Sequence, residues 1–149
     1  MIRKIRPEDV LYTARVWHRS GLDEYTYTPF QELDEATAIE IFRNVILKNC
    51  DVWIYESGGA IAGFIAMKDS YVDRLYIDPK FQRSGIGTAL LEYAKKLSPR
   101  GLELHTHQQN QRACRFYEKH GFVAVKFGIS PPPESLPDVE YHWRPGDDA

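Results

Sequence analysis

The chain has 149 residues, of which 43% are hydrophobic and 27% are charged, and its formal net charge at pH 7 is −2. These values are typical of a globular protein, and we predict one domain over residues 1–149 with a flexible polar tail at 146–149. The small negative charge argues against a protein that grips nucleic acid electrostatically, so we expect no nucleic-acid partner.

The apolar runs, the first residues and the cysteines indicate the cellular compartment that we expect. No apolar run reaches membrane-spanning length, and the first residues lack the apolar stretch of a secretory signal. The two cysteines, Cys50 and Cys114, have no metal-ligand spacing. We therefore expect a cytoplasmic protein with reduced thiols, no membrane partner and no metal.

The first third of the chain predicts one strand and two helices. Residues 2–5 suit a strand, Pro7 begins a helix that Gly21 would end, and 22–30 is a loop rich in aromatic rings. Asp34 is a suitable N-cap for the second helix. Four apolar residues then share one face of that helix: Ala38, Phe42, Val45 and Ile46.

Three strands and a helix follow. Residues 51–56 and 60–67 are separated by Ser57-Gly58-Gly59, which is a hairpin signal, and 71–77 is a third strand. The next helix along the chain has an apolar stripe typical of a buried face: Ile86, Leu90, Ala94 and Leu97.

The last third alternates strands and a helix. Residues 102–107 form a strand, Asn110 caps a helix that Gly121 ends, and 122–127 is the next strand. A closing strand carries alternate large apolar residues: Val139, Tyr141 and Trp143. This order predicts an α/β domain with a mixed sheet and helices on both faces.

The turn Gln82–Gly87, between the third strand of the middle block and its helix, suggests an anion site. A helix start offers unpaired amides and a favourable dipole, and Gly85 and Gly87 let a phosphate approach the backbone. No lysine follows Gly87 and position 90 is Leu, so the Walker and dinucleotide patterns both fail. An ordinary tight turn and an unrelated nucleotide-phosphate site remain alternatives.

Two motifs make the chain resemble the GNAT superfamily of N-acetyltransferases over nearly its whole length. The first is Gln82-Arg83-Ser84-Gly85-Ile86-Gly87, where many relatives have Gly in place of Arg83. The second consists of Asn110, Ala113, Phe116, Tyr117, Gly121 and Phe122. The resemblance implies a GNAT-like α/β (α+β) fold: a mixed, mostly antiparallel sheet of six to seven strands, about four helices, and two central parallel strands that are splayed.

The resemblance also implies acetyl-CoA as cosubstrate, with its diphosphate on the amides of 83–88 and its pantetheine arm along Leu75 and Ile77. The implied cofactor-binding residues are Leu75, Tyr76, Ile77, Gln82, Arg83, Ser84, Gly85, Ile86, Gly87, Thr88, Asn110 and Phe116. Asn110 could serve only as a helix cap, and Arg83 could simply be solvated.

Direct transfer of the acetyl group to an amine needs an acid for the departing thiolate, and the resemblance implies Tyr117 in this role. A core tyrosine is the alternative interpretation. Asp73 is a tentative catalytic carboxylate, although it could instead pair with a neighbouring basic residue. Glu103, His105 and His107 lie on the neighbouring strand, where two histidines are more often surface or packing residues.

We expect the acceptor to be a primary amine of a small molecule or amino acid. Aromatic walls are suggested by Trp17, Tyr25, Tyr27 and Phe30, although hydrophobic packing under loops explains them equally well. Protein-lysine or N-terminal acetylation and a CoA-binding regulatory module without turnover are the alternatives. A homodimer is compatible with the resemblance.

Overall fold

The computed structural model describes residues 1–26 and 29–146, and the chain divides into two compact units. Unit 1 comprises Met1–Lys68 and Asp73–Tyr93, and unit 2 comprises 69–72 and the chain from Ala94 onward. The single domain stays a prediction, and of the predicted tail only Gly146 is described. Among the described residues, no helix combines the length and the apolar character needed to cross a bilayer.

Unit 1 is built on four strands in the order β1-β2-β3-β4. Their bounds are β1 Ile2–Lys4, β2 Asp51–Ser57, β3 Ala60–Lys68 and β4 Tyr71–Ile77, of which the first two residues of β4 belong to unit 2. The predicted hairpin between β2 and β3 is confirmed, and Gly58 and Gly59 in its turn have φ of +56° and +82°. Two successive positive φ values are what a tight hairpin turn requires.

Helix α1 spans Val10–Glu24 and follows a 3₁₀ turn at Pro7–Asp9. The predicted end at Gly21 is wrong, because the helix continues three residues further. Gly21 is buried, and a Cβ atom placed on it would lie 2.3 Å from the ring of Phe30. This glycine therefore permits close packing of the ring and does not end the helix.

The second helical stretch begins at α2, Glu35–Ile41, and the predicted cap is confirmed because the Asp34 carboxylate accepts an amide of the first turn at 2.7 Å. A π turn at Phe42–Ile46 leads without a break into α3, Leu47–Asn49. Val45 was predicted to face inward, but it is 47% exposed. Val45 lies within this π turn, where the residue spacing is wider than in an α-helix, so α-helical spacing alone misplaced its side chain.

The core of unit 1 lies between these helices and strands β2 and β3. Large apolar side chains dominate it, and burial of each contributes about 2–3 kcal/mol. The buried cluster comprises Ala14, Val16, Trp17, Ala38, Phe42, Ile46, Val52, Ile54, Phe64 and Ala66.

Unit 2 contains strands in the order β4-β5-β7-β6, with β4 and β5 parallel through the pair Tyr71 and Glu103 and the other pairs antiparallel. The remaining elements are β5 Leu102–His107, α5 Gln111–Lys119, β6 Val123–Ile129 and β7 Pro137–Trp143. The cap at Asn110 is confirmed, since its side chain accepts the Ala113 amide at 3.1 Å.

The sheet of unit 2 has one apolar and one polar face, because residues paired across two strands share a face. The buried side chains of the apolar face are Leu102, Leu104, Val139, Tyr141 and Trp143. The polar face carries Glu103, His105, Glu140 and His142. This second face is important because its side chains are chemically reactive and partly exposed.

Helix α4, Ile86–Leu97, buries its predicted stripe except for Leu97, which is 44% exposed at the last turn. Seven strands occur within the described residues, and their mixed, mostly antiparallel pairing confirms the predicted sheet. The predicted splay of β4 and β5 stays a prediction.

Candidate active site

The turn between β4 and helix α4 in unit 1 has a backbone conformation that lets a bound group approach it closely. Pro79–Phe81 forms a 3₁₀ turn, and the Ser84 hydroxyl donates to the Phe81 carbonyl. Arg83 and Gly85 both take left-handed conformations, with φ of +65° and +82°. Arg83 therefore adopts the left-handed conformation that favours glycine.

The start of α4 can hold an anionic group. The first helical hydrogen bond runs from Ala89 N to Gly85 O at 3.0 Å, so the amides of residues 86–88 precede the first intrahelical donor. Arg83, Ser84 and Gly85 are exposed, and a Cβ atom placed on Gly85 would meet no atom within 4 Å. Open space beside Gly85, the amides at the start of the helix and the helix dipole together fit a diphosphate.

Two side chains of α1 fix the end of β4. Arg19 forms a 2.6 Å ion pair with Asp78, whose side chain is only 4% exposed, and the Ser20 hydroxyl donates to the Ile77 carbonyl at 2.7 Å. These partners are far away in sequence, and sequence reasoning missed both. Their contacts hold the backbone from which the turn begins.

Strand β3 approaches β4 closely at Gly63. A Cβ atom there would lie 2.7 Å from Ile77 Cδ1 and 2.8 Å from the Tyr76 carbonyl oxygen. Glycine is therefore the residue that allows this spacing. The strand segment in contact is the one predicted to line the cofactor arm, and Leu75, Tyr76 and Ile77 are all partly buried.

Tyr76 and Asp73, both on β4, are engaged by neighbours within unit 1. The Tyr76 hydroxyl donates to the Tyr25 hydroxyl at 3.0 Å, and burial raises the pKa of Tyr76 well above its usual value. The Asp73 carboxylate accepts a hydrogen bond from Arg74, as the alternative interpretation expected. Burial, followed by the nearby Asp73 charge, raises the pKa of the Cys50 thiol to about 11.

The aromatic side chains that were predicted to line an acceptor pocket pack mainly against one another. Trp17 is 4% exposed and meets Phe30 edge-on, with ring centroids 5.5 Å apart, and Phe30 also meets Tyr25 at 6.2 Å. Tyr27 lies outside the described residues. Unit 1 also contains an open cleft of about 740 Å³ lined mostly by charged side chains, among them Arg3, Glu8, Asp9, Arg19, Glu56 and Asp78.

The residues predicted in unit 2 lie on and beside α5. Asn110 is buried at the helix start, and Phe116 and Tyr117 form an edge-on ring pair at 5.3 Å. Tyr117 is 9% exposed, and its ring also contacts Phe122 at 5.5 Å and Tyr141 at 6.3 Å. This environment is that of a core tyrosine, and the role of Tyr117 as an acid stays a prediction.

The polar face of unit 2 brings together side chains that sequence reasoning treated as separate. The Tyr71 hydroxyl lies 2.8 Å from His105 Nδ1, and His105 Nε2 lies 3.4 Å from Glu140. The other carboxylate oxygen of Glu140 is 2.6 Å from His142 Nε2. Over the described ranges, no three His, Cys, Asp or Glu side chains are placed to hold a metal ion.

Sequence similarity identifies the family. Residues 48–124 match the acetyltransferase (GNAT) domain, which is more than half of the chain. The peptidyl-lysine N-acetyltransferase YiaC of Escherichia coli is 35% identical over 88 residues, which is 58% of this chain and 60% of that protein. The chain thus spans less than two thirds of YiaC. The peptidyl-lysine N-acetyltransferase YjaB of Salmonella typhimurium is 30% identical over 122 residues, with 81% of each chain covered.

The solved structure of apo YjaB from Escherichia coli has the same fold, with a TM-score of 0.79, 24% identity and 96% of each chain covered. The chain belongs to the GNAT family of acetyltransferases. It is accordingly an acyltransferase whose cosubstrate is acetyl-CoA.

Proposed function

We propose that this GNAT-family protein catalyses N-acetylation of a primary amine by direct attack on the thioester of acetyl-CoA. The observation that carries the proposal is the β4–α4 turn, where the exposed residues Arg83, Ser84 and Gly85 precede a helix and two of them take left-handed conformations. This is the geometry that a coenzyme diphosphate requires.

The binding role is assigned to the turn and to the strand before it. The amides of 83–88 would hold the diphosphate, Arg83 would add a charge-assisted contact, and Leu75 and Ile77 would pair with the pantetheine arm through their backbone. Asn110 and Phe116 are assigned to the same cosubstrate from the family motif. The further members of the proposed set are Tyr76, Gln82, Ser84, Gly85, Ile86, Gly87 and Thr88.

The chemistry is a balanced acyl transfer. The neutral amine attacks the thioester carbon, so a C–N bond forms, and an amide near Leu75 or Tyr76 would stabilise the oxyanion. As the C–S bond breaks, Tyr117 would give its phenolic proton to the thiolate and recover one from the new amide nitrogen. Asp73, paired with Arg74, stays a candidate for taking the proton from the acceptor.

A lysine side chain in a peptide or protein is the acceptor that we favour. YiaC and YjaB are both named peptidyl-lysine N-acetyltransferases, and they align at 30–35% identity. The rings near the end of α1 pack against one another, so they give little support to an aromatic-walled pocket. An extended acceptor needs an open surface and not an enclosed pocket.

A small-molecule or amino-acid amine is the second candidate. The cleft of about 740 Å³ in unit 1 falls within the range of small-ligand sites, and its acidic side chains suit a cation. Several of those carboxylates already have arginine partners, which weakens their attraction for a further cation. We also propose a cytoplasmic location, which the unpaired Cys50 and Cys114 suit.

One assay tests the function and separates the acceptors. Purified protein is mixed with acetyl-CoA and either a lysine-containing peptide or a panel of small amines, and free thiol release is followed together with product mass. We expect acetylated peptide as the dominant product. Tyr117→Phe should slow turnover about a hundredfold with little change in acetyl-CoA affinity. Absence of thiol release with every acceptor would contradict the proposal.

A further inference from the structure

We propose that Tyr71, His105 and Glu140 form a proton relay that deprotonates the acceptor ammonium group. The inference rests on the proposed function, because it names the base of the same acetyl transfer. Tyr71 would contact the acceptor nitrogen and is the catalytic residue of the three, whereas His105 and Glu140 act through it.

Three strands place these groups on one face of the sheet in unit 2. His105 on β5 is directly paired with Glu140 on β7, and Tyr71 on β4 is paired with Glu103, two residues before His105. The Tyr71 hydroxyl lies 2.8 Å from His105 Nδ1, and His105 Nε2 lies 3.4 Å from the Glu140 carboxylate. The three groups therefore form a continuous path.

The relay has charged and titratable neighbours on β5, β7 and β6. On β5 these are Glu103 and His107, and Glu103 is paired with His142 and contacted by Arg144 at 3.4 Å. From β7 and β6, the further groups on this face are Asp138, His142 and Lys126. The hydrogen bond from His142, helped by the positive charge of Lys126, lowers the pKa of Glu140. Glu140 is therefore ionised at neutral pH.

The ionised carboxylate fixes the direction of the relay. Its charge favours a proton on the Nε2 atom of His105, so the Nδ1 atom of the neutral ring carries the lone pair. Tyr71 must then donate its O–H to Nδ1, and in the proposed relay its oxygen takes the proton of the acceptor. The order hydroxyl, imidazole, carboxylate is the same as in a catalytic triad, except that the hydroxyl here belongs to a phenol that exchanges protons with the acceptor.

The step balances as a double proton transfer. The acceptor R–NH₃⁺ gives one proton to Tyr71 Oη while Tyr71 gives its own to His105 Nδ1, so Tyr71 stays neutral and R–NH₂ is formed. His105 becomes an imidazolium ion that is paired with Glu140. The side chain of His105 is 42% exposed, so this proton can leave to solvent before the next turnover.

The test is the pH dependence of kcat/KM for wild type, Tyr71→Phe and His105→Gln, measured from about pH 6 to about pH 9.5. With the relay, the wild-type rate levels off above the range where histidine titrates, because the ammonium form reacts. Without it, only the free amine reacts, so the variant rates should rise about tenfold per pH unit towards the amine pKa of about 10.4. We expect kcat/KM of both variants to be about a hundredfold below wild type at pH 7 and to approach the wild-type value at the alkaline end of the range.

Two matched variants make the result specific. His107→Gln lies two residues further along the same strand, and it should keep the wild-type profile. Asp73→Asn tests the competing base, and a lost plateau in this variant but not in His105→Gln would overturn the relay. A deficit in the Tyr71 and His105 variants that is equal at every pH would also overturn it, because a purely structural role lowers the rate uniformly.

A measurement without acetyl-CoA completes the test. Two-bond ¹H–¹⁵N spectra of the labelled protein identify the tautomer of His105, and we expect the Nε2–H form in wild type. A dominant Nδ1–H form would overturn the relay whatever the kinetics show. If wild type itself has no turnover with any amine, the proposed function fails. If wild type turns over but its profile has no plateau, the relay alone fails.

Discussion

Gly63 offers the sharpest test of how β4 is positioned. In Gly63→Ala, the new Cβ atom would lie 2.7 Å from Ile77 Cδ1 and 2.8 Å from the Tyr76 carbonyl oxygen. The end of the isoleucine side chain can rotate away, but the carbonyl oxygen belongs to the backbone. Strand β4 must therefore move by several tenths of an ångström in the segment that we assign to the cofactor arm.

The size of the effect follows from the kind of clash. Overpacking of a core by one methyl group costs about 1–3 kcal/mol, which lowers the melting temperature of a chain of this size by about 3–10 °C. The shifted backbone should also weaken acetyl-CoA binding by about tenfold, which corresponds to about 1.4 kcal/mol.

Thermal unfolding followed by circular dichroism, together with calorimetric titration of acetyl-CoA, measures both effects. Gly128→Ala is the matched control, because the nearest atom to a Cβ placed there is Asp138 Oδ1 at 3.4 Å. We expect the control to change stability by less than about 0.5 kcal/mol. A Gly63→Ala protein that melts and binds acetyl-CoA as wild type does would show that the close approach at Gly63 does not position β4.

Two further predictions concern the phosphate turn and the charge network. Arg83→Gly should melt at or above the wild-type temperature, because it removes left-handed strain, but it should bind acetyl-CoA more weakly at low salt. Gly85→Ala should melt at a lower temperature and also bind acetyl-CoA more weakly. Calorimetry at two salt concentrations measures the melting temperature and the affinity of each variant. Hydrogen bonds from Arg3 hold the pKa of Asp9 below its usual 3.8, so the resulting stability is complete above about pH 4 and disappears as the pH falls through the folded-state value. Melting curves of wild type and Asp9→Asn should therefore differ at pH 7 and converge at strongly acidic pH, and a constant difference at all pH values would contradict this.

Features that depend on neighbouring residues could be predicted from the sequence. The caps at Asp34 and Asn110 and the hairpin at Gly58-Gly59 all follow from side-chain or backbone preferences within a few positions. The turn at 82–87 belongs to the same class, because its glycines and the helix after it are contiguous. The fold class followed from the order of these local elements together with the family motifs.

Features that depend on distant partners could not be predicted. The ion pair between Arg19 and Asp78 joins residues 59 positions apart, and no periodicity indicates it. The alignment of Tyr71, His105 and Glu140 needs the strand order β4-β5-β7, in which the last strand inserts beside β5. Sequence reasoning saw the histidine only as one of two on a strand and gave it no partners.

A titration of the ¹⁵N-labelled protein with acetyl-CoA, followed residue by residue in amide spectra, tests directly whether the β4–α4 turn holds the coenzyme diphosphate. We expect the largest shifts at the amides of 83–88, and we expect desulfo-CoA, which keeps the diphosphate, to produce the same shifts there. Saturable binding that leaves these amides unchanged, or no binding at millimolar acetyl-CoA, would contradict this expectation.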